Sequence, residues 1–393
     1  MRKLLTRTIW VVSLVSLFTD IASEMLYPVM PIYLRSIGFS IVLIGVLEGI
    51  AEATAGLSKG YFGNLSDISG KRVPFIRAGY SFSAISKPMM AIFTFPVWIF
   101  FARTLDRFGK GLRTSARDAL LSEETTRENK GKVFGFHRAM DTVGAAIGPS
   151  LALVFLFINP GHYKTLFYIA FFPGIIAILL TFLLKEKRKV GIDKDKSLKK
   201  VGFFSFLKYW KKAPASYRLL VAGLLVFTLF NSSDAFLLLA LKSRNFSDLQ
   251  IISFYIFFNL VFALLAIPVG ILADKAGLFR TLITGLLIFS GVYFFFGLAG
   301  SVIAFGFLFF FYGVYYAATD GVSKALISNL VDKTEVATAL GFYNSFASIF
   351  TLLSSSLAGL LWYSIGLKAM FVISGAGVLG VVIFLSMAFR KQI

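Results

Sequence analysis

Acidic and basic side chains recur at helical spacing inside segments of this chain that are otherwise apolar. Asp20 and Glu24 are four residues apart, as are Glu48 and Glu52, so each pair lies on one face of a helix. If these segments cross a bilayer, each charge at mid-depth costs about 2.5–3.5 kcal/mol unless it is paired or faces water. The spacing therefore predicts an interior polar path in which carboxylates take up and release protons. The candidates for proton coupling are Asp20, Glu24, Glu48, Glu52, Arg103, Asp106, Arg107, His137, Arg138 and Asp141.

The same residues also have a purely structural interpretation. Acids and bases that neutralise one another hold helices together without carrying a proton, and we expect both roles for different members of the set. Cations dominate one helix face, because Arg103, Arg107 and Lys110 recur every three or four residues. This excess of positive charge is compatible with an anionic substrate.

The elements that must position these residues are membrane-spanning helices. The chain has 393 residues, of which 57% are hydrophobic and 15% charged, whereas soluble domains average about 25% charged. This composition excludes a soluble enzyme, a disordered regulator and a secreted disulfide scaffold, and we predict no catalytic residues. Runs of about 20 apolar residues predict twelve transmembrane helices in an all-α membrane protein. The predicted spans are 8–34, 40–62, 74–95, 97–119, 131–157, 163–184, 217–241, 247–272, 280–299, 301–323, 336–361 and 367–389.

The basic residues give these helices a predicted orientation. With the N-terminus inside, thirty of the 40 Lys and Arg residues fall in cytoplasmic segments and five in outer segments, which predicts that both termini are cytoplasmic. The excess of basic residues in the cytoplasmic segments therefore accounts for most of the formal charge of +20, and we predict no nucleic-acid partner. The first span continues into prolines and acids, so we expect a retained helix rather than a cleaved signal peptide.

One long connection divides the chain into three predicted regions. These are a six-helix bundle at 1–184, a basic cytoplasmic linker at 185–215 and a second six-helix bundle at 216–393. Aromatic residues next to lysines in the linker predict a short amphipathic helix on the inner leaflet. They are Phe203, Phe204, Phe206, Leu207, Tyr209 and Trp210, beside Lys208, Lys211 and Lys212. The chain has no Cys and two His, so we predict no disulfide, no metal site and no cofactor.

A motif of glycine, aspartate and basic residues occurs twice, 207 residues apart, after the second and the eighth predicted spans. Gly135-Phe136 returns as Gly341-Phe342 at an offset of 206, which indicates a duplication of the kind found in secondary transporters. Glycine permits close helix contact, and aspartate interacts favourably with a neighbouring helix N-terminus. We therefore predict a cytoplasmic gate. Its residues are Gly63, Asp67, Gly70, Lys71, Arg72, Gly270, Asp274, Gly277 and Arg280.

Two six-helix halves with this motif after the second and eighth spans resemble the major facilitator superfamily over essentially the whole chain. The resemblance implies two pseudo-symmetric six-helix bundles that form an alternating-access transporter, and not an enzyme. A second motif, in the fifth span, is similar to the antiporter motif of the superfamily's twelve-span drug:proton exporters. It comprises Gly135, Gly144, Gly148 and Pro149, with Ala152 where a final glycine is usual.

Other polar and aromatic residues in the spans are candidates for a substrate cavity. They are Tyr27, Asn231, Asp234, Asn259, Tyr316, Asp320 and Asn344. The leading prediction is a monomeric, proton-coupled exporter of small amphipathic compounds in a bacterial inner membrane, with substrate, protons and the lipid bilayer as its partners. The alternative is a proton-coupled importer of an anionic metabolite or siderophore-like compound. A third class is a transporter-like sensor or a membrane-embedded enzyme.

Overall fold

The computed structural model describes residues 5–186 and 202–389, and their regular secondary structure is helical. In chain order the α-helices are α1 (Arg7–Glu24), α2 (Met30–Ser36), α3 (Ile41–Ser69), α4 (Val73–Ile92), α5 (Pro96–Glu123), α6 (Lys130–Ile158), α7 (Tyr163–Thr181), α8 (Tyr209–Lys212), α9 (Ala215–Phe230), α10 (Ala235–Lys242), α11 (Asp248–Ala276), α12 (Leu278–Phe296), α13 (Val302–Asn329), α14 (Val336–Ile365) and α15 (Leu367–Phe389). Each of the twelve predicted spans corresponds to one long helix or to one broken pair, α1 with α2 and α9 with α10.

Seven helices in the described ranges are long and apolar enough to cross a membrane: α6, α7 and α11 to α15. An eighth is counted if α9 and the helical turns at 205–212, which meet at 118°, are taken as one bent span. The long helices α1, α3, α4 and α5 carry the acids and bases singled out above. The chain is thus an integral, multi-pass helical membrane protein.

Local sequence signals explain where several helices begin and end. The hydroxyl of Ser40 accepts from the backbone N–H of Leu43 at the start of α3, and Ser247 forms a capping box with Gln250 on α11. Gly70 and Gly277 end α3 and α11 with φ of 63° and 104°. Glycine adopts such angles without steric strain because it has no Cβ atom, so both motif glycines act as helix terminators.

The chain folds into two compact units. Unit 1 comprises residues 1–126, 140–212 and 332–345, and unit 2 comprises 127–139, 213–331 and 346–393. In unit 1, α5 packs on α3 and α4, and α7 packs on α1 and α4. In unit 2, α13 packs on α11 and α12, and α15 packs on α9 and α12. The first turns of α6 therefore belong to unit 2, and the first turns of α14 belong to unit 1.

The described part of the linker, from residue 202, packs on unit 1. Phe206 and Tyr209 are buried, and the Trp210 ring stacks on Phe342 of α14 with centroids 5.4 Å apart. The Ser205 hydroxyl accepts a hydrogen bond of 2.7 Å from the side chain of Asn64 on α3. Phe203, Phe204 and Leu207 are exposed, as are Lys208, Lys211 and Lys212. Linker residues 187–201 lie outside the described residues.

Candidate functional site

Unit 1 contains a buried ion-pair network between α3, α4 and α5. Arg103 on α5 donates from Nε and Nη2 to the two carboxylate oxygens of Glu48 on α3, each at 2.8 Å. Its Nη1 lies 3.4 Å from one oxygen of Asp106, whose other oxygen is 3.6 Å from Nζ of Lys87 on α4. Because two parallel hydrogen bonds fix a guanidinium against a carboxylate, this pairing is both strong and directional. Arg103 therefore ties α5 to α3, and Asp106 ties α5 to α4.

A second ion pair lies one turn further along the same two helices. Nη1 of Arg107 is 3.2 Å from Oε1 of Glu52. The Arg107 side chain is 10% exposed, whereas that of Glu52 is 51% exposed. Exposure weakens an ion pair by solvent screening, so this contact breaks more readily than the pair of Arg103 with Glu48.

Two acids of α1 are placed differently. Within the described ranges, Asp20 and Glu24 have no basic group within 4 Å and no side-chain hydrogen bond. The charge of Lys110 acts on both from a longer distance, and the charges of Asp141 and Arg117 act on Asp20. Lys110 itself is exposed although it lies among these charges, so accessible space reaches them. These two carboxylates can gain or lose a proton without first breaking an ion pair.

The ionisable residues of α6 are divided between the two units. In unit 2, Nε of Arg138 lies 2.7 Å from Oδ2 of Asp320 on α13. His137 is buried in the same unit, and Asp141 is buried in unit 1, where its charge acts on Asp20. The structure thus places Asp320, which the sequence groups with substrate contacts, in an ion pair.

The two aspartates of the repeated motif lie on helices, and each caps another helix. In unit 1, Asp67 near the end of α3 accepts hydrogen bonds from the backbone N–H and the hydroxyl of Thr338 in the first turn of α14, at 2.6 and 2.7 Å. In unit 2, Asp274 near the end of α11 accepts from the N–H groups of Gly131 and Lys132 in the first turn of α6, at 2.7 and 2.8 Å. A carboxylate there satisfies unpaired N–H groups and interacts favourably with the helix dipole. We name these contacts the Asp67 cap and the Asp274 cap.

Close backbone contacts accompany both caps. A Cβ atom on Gly63 would collide with the carbonyl oxygen of Ala337, and one on Gly270 would collide with that of Gly131. The two glycines differ by 207 positions (270 − 63) and their partners by 206 (337 − 131). Each unit therefore contains the same contact, built from corresponding residues, as a duplicated chain requires.

Gly63→Ala is expected to destabilise the protein by about 1–3 kcal/mol, because the added methyl group has no room beside the Ala337 carbonyl. The measurement is the thermal unfolding midpoint of the purified protein in detergent. Gly49→Ala is the matched control on the same helix, since a Cβ there would meet no atom within 4 Å. Equal midpoints for the two variants would contradict the close approach of α14 to α3.

The two caps differ in their basic residues. Arg72 is buried, forms an ion pair with Asp67, and donates from Nη2 to Glu123 on α5 at 2.8 Å. Lys71 beside it is exposed, as is Arg280 in the second copy of the motif. In the described ranges Asp274 has no ion pair within 4 Å, so the two backbone hydrogen bonds are the direct polar contacts of the Asp274 cap, and the charge of Lys132 acts on it from a longer distance.

The glycines of the antiporter-like motif pack against neighbouring backbones. In unit 1, Cβ atoms on Gly144 and Gly148 would approach the carbonyl oxygens of Leu17 and Ile21 to 2.6 Å, which allows α6 to lie directly on α1. Gly135 lies in the same way against the backbone of α11 in unit 2. Pro149 is inside α6. The motif therefore serves close helix packing.

Unit 2 has a polar cluster at the break between α9 and α10. One carboxylate oxygen of Asp234 accepts hydrogen bonds from the hydroxyls of Tyr312 at 2.6 Å and Tyr316 at 3.0 Å. The amide of Asn231 donates to the Tyr315 hydroxyl at 3.0 Å. The sequence groups Asn231, Asp234 and Tyr316 as cavity residues, and the structure brings these three together.

The remaining predicted cavity residues do not join this cluster. Asn259 donates to the backbone carbonyl of Tyr255 on its own helix, at 2.9 Å. Tyr27 is exposed between α1 and α2, in unit 1. Asn344 also belongs to unit 1.

A cavity of about 360 Å³ lies beside the Asp67 cap, within unit 1. Its walls come from α3, the linker and the segment before α14, and include Asn64, Lys208, Tyr209, Lys212 and Glu335. Burial, followed by the nearby carboxylates of Asp332 and Asp67, raises the pKa of Glu335. Burial also raises the pKa of Tyr209, which therefore keeps its proton at neutral pH.

Glu335→Gln is expected to raise the unfolding midpoint at pH 8 and to change it little near pH 4. A carboxyl whose pKa is higher in the folded than in the unfolded state stabilises the fold below its unfolded pKa of about 4.3, and that stability is lost as pH rises through the folded value. Glutamine cannot ionise, so the variant does not lose this stability as the pH rises. Midpoints between pH 4 and pH 8 test the prediction, and Asp332→Asn should reduce the pH dependence in part. A midpoint lowered equally at every pH would contradict it.

The predicted site residues did not include Lys87, Glu123, Thr338 or Tyr312. Lys87 and Tyr312 stand in the predicted spans, and helical spacing from Tyr316 to Tyr312 was a usable signal. The internal repeat relates Thr338 to Lys132, which stands 206 residues earlier. The two residues donate to the corresponding aspartates, Asp67 and Asp274. Glu123 gave no signal, since its role depends on where α5 ends beside Arg72.

Two helical units that contain the same cap contact, built from corresponding residues, define the class of internally duplicated helical membrane proteins. The family model described as Major Facilitator Superfamily matches residues 12–277 and, in a second match, 235–392. The chain therefore belongs to the Major Facilitator Superfamily, whose members transport small molecules across membranes.

Relatives and solved structures agree with this family. The chain is 30% identical over 364 residues to the uncharacterized MFS-type transporter MJ1317 of Methanocaldococcus jannaschii, with 91% of this chain and 89% of the relative covered. It is 24% identical to the multi-drug resistance efflux pump PmrA of Streptococcus pneumoniae, with 84% and 82% covered. The human organic anion transporter MFSD10 has a similar fold, with a TM-score of 0.77, 18% identity, and 96% and 99% coverage. So has the Escherichia coli fucose:proton symporter FucP, with a TM-score of 0.78, 12% identity, and 96% and 98% coverage.

Proposed function

We propose that this protein is a proton-coupled exporter of small amphipathic compounds that works by alternating access. It has twelve membrane spans, with α1 and α2 forming one and α9 and α10 another, and both termini are cytoplasmic. The protein acts as a monomer in a bacterial inner membrane. The similarity to a multidrug efflux pump supports export as the direction of transport.

The observation that carries the proton coupling is the placement of Asp20 and Glu24. Both carboxylates are reached by accessible space and have no basic group within 4 Å in the described ranges, while the charge of Lys110 acts on both of them. A proton on such a group changes the local charge by one unit and shifts the balance between two conformations. A membrane potential contributes about 2.3 kcal/mol per charge per 100 mV.

The two helix caps provide the gate in this proposal. Under the proposed topology both lie on the cytoplasmic side, where they hold the first turns of α14 and α6. They break when the cytoplasmic side opens and form again when it closes. The pair Arg103–Glu48 positions α3 and α5 throughout the cycle.

The alternative is proton-coupled import of an anionic metabolite or siderophore-like compound. The exposed ammonium of Lys110 favours it, since that group is accessible and has no ion-pair partner within 4 Å in the described ranges. Export and import differ in the side on which the compound must start.

Purified protein in proteoliposomes with a pH-sensitive dye inside tests both functions. An inward proton gradient is imposed, and cationic drugs or anionic metabolites are placed on one side at a time. Faster lumenal acidification with a compound inside, abolished in Asp20→Asn and retained in Asp332→Asn, is expected for export. Faster acidification only with the compound outside would establish the importer instead. Proton flux that no compound changes would overturn both.

A further inference from the structure

Asp234 stands at the N-cap position of α10, but its side chain does not cap that helix. It precedes α10, and its backbone carbonyl accepts from the N–H groups of Leu237 and Leu238 at 3.0 and 3.2 Å. An aspartate at this position ordinarily turns its side chain back onto the first free N–H groups. Here the side chain makes no such bond and is held by tyrosines of α13 instead.

The two tyrosines bind only one of the two carboxylate oxygens of Asp234. Tyr312 and Tyr316 both donate to Oδ1, and in the described ranges Oδ2 has no hydrogen-bond partner. Asp234 is partly exposed, and no basic side chain acts on its charge. By contrast, Asp320 in the same unit is paired with Arg138. Asp234 is therefore a carboxylate without a counter-charge.

Asn231 adds a second unused acceptor one turn earlier. Its amide nitrogen donates to the Tyr315 hydroxyl, which fixes the amide plane. Its carbonyl oxygen Oδ1 is buried and has no hydrogen-bond partner in the described ranges. A buried acceptor left without a donor is unfavourable, so a ligand that supplies the donor binds more tightly for it.

Aromatic rings surround these acceptors. The rings of Tyr312, Tyr315 and Tyr316 lie within 5.5 Å of one another, and Phe258 lies 5.4 Å from Tyr312. The faces of such rings attract cations, tyrosine more strongly than phenylalanine. The cluster thus offers negative charge, hydrogen-bond acceptors and ring faces, while the hydroxyls of Tyr312 and Tyr316 are committed to Asp234.

We propose that Asp234 and Asn231 bind the ammonium group of the transported compound, and that this group must carry at least one N–H. The inference rests on the proposed export function, because it names the substrate class for that function. The charge of Asp234 attracts any organic cation. The two acceptors distinguish a protonated amine, which donates to Oδ2 of Asp234 and Oδ1 of Asn231, from a quaternary ammonium, which has no donor. An anion of the same size is repelled.

Equilibrium binding to the full-length protein in detergent, without a proton gradient, tests this site. The probes are 2-phenylethylamine, its N,N,N-trimethyl derivative and phenylacetate, measured by isothermal titration calorimetry at pH 7. The wild-type protein is expected to bind the amine at least tenfold more tightly than the trimethyl derivative and not to bind phenylacetate. Asp234→Asn should lose both cations, and Asp332→Asn, in the exposed loop before α14, is the matched control and should bind like wild type.

Asn231→Leu is the variant that separates recognition from folding. Leucine has the same branched outline and the same number of side-chain heavy atoms as asparagine but no acceptor. This variant should therefore lose about tenfold in amine affinity but little for the trimethyl derivative, which a general structural defect would not produce. Unchanged amine binding in Asp234→Asn, or equal affinity of the wild type for amine and trimethyl derivative, would overturn the site. If the amine binds as expected but moves no protons in proteoliposomes, the export function fails while the site stands. If compounds without N–H are exported as well as the amine, export stands and the site fails.

Discussion

Asp67→Asn is expected to open the proposed cytoplasmic gate about 30-fold more often than in the wild-type protein. The change removes the charge that faces the first turn of α14 and breaks the ion pair with Arg72. Charge-assisted hydrogen bonds contribute about 1.5–3 kcal/mol each, and a loss of about 2 kcal/mol shifts a two-state equilibrium about 30-fold. Transport should fall, because a gate that stays open cannot complete the cycle.

Asp274→Asn is expected to increase gate opening less than Asp67→Asn does. The Asp274 cap has two backbone hydrogen bonds and no ion pair within 4 Å in the described ranges, so the loss is about 1 kcal/mol and the shift about fivefold. A larger effect of Asp274→Asn than of Asp67→Asn would contradict the role assigned to Arg72.

A cysteine reporter measures both shifts. The native chain has no cysteine, so Ser345→Cys introduces a single thiol. Ser345 is buried, and its hydroxyl donates to the Gly56 carbonyl of α3 at 2.6 Å, so a thiol there reacts with N-ethylmaleimide only when α14 leaves α3. Reaction rates should rise in the order wild type, Asp274→Asn, Asp67→Asn.

Arg103→Gln is expected to have the largest effect on stability, about 3 kcal/mol. The substitution leaves the carboxylates of Glu48 and Asp106 without their shared guanidinium. Removing one partner of a buried ion pair costs about 3–5 kcal/mol, and partial exposure of Glu48 places this case at the lower end. For a chain of this length the unfolding midpoint should fall by about 4 °C.

The double variant Glu48→Gln with Arg103→Gln measures how much of the lost stability comes from the interaction between these two side chains. Two amides can still hydrogen-bond to each other, so the double variant should recover at least half of the stability lost in Arg103→Gln. Arg103→Lys should remain destabilised, because an ammonium group cannot reproduce the two parallel bonds to Glu48. Additive losses in the double variant would show that Glu48 and Arg103 do not interact.

The helices were predictable from the sequence because hydrophobic length and capping residues are local properties. The predicted span 336–361 is helix α14 (Val336–Ile365), and the span 367–389 is helix α15. Breaks inside spans were missed although local signals mark both of them. Pro28 directly follows Tyr27, and Asn231 begins the polar run Asn-Ser-Ser-Asp, so hydrophobic length was given too much weight against helix-breaking residues.

The site was predictable only at the level of residue type. Helical spacing placed Glu48 and Arg103 on interior faces, but whether Arg103 bonds to Glu48 or Glu52 depends on the register between α3 and α5, which no local pattern specifies. Asp67 was predicted to face a helix N-terminus, and the structure identifies Thr338 as its partner. Asp234 was predicted as a cavity residue, whereas its two tyrosine donors required the packing of α13 on the segment after α9.

The assignment of residues 332–345 to unit 1 has a consequence for the order in which the protein is made. Synthesis runs from the N-terminus, so the last piece of unit 1 leaves the ribosome after residues 213–331 of unit 2. Until then Asp67 and Gly63 of α3 have no α14 to bind. Unit 2 meets no such delay at α6, because residues 127–139 are already present when α11 is made. Unit 2 can therefore complete the Asp274 cap during translation, whereas unit 1 completes the Asp67 cap only near its end.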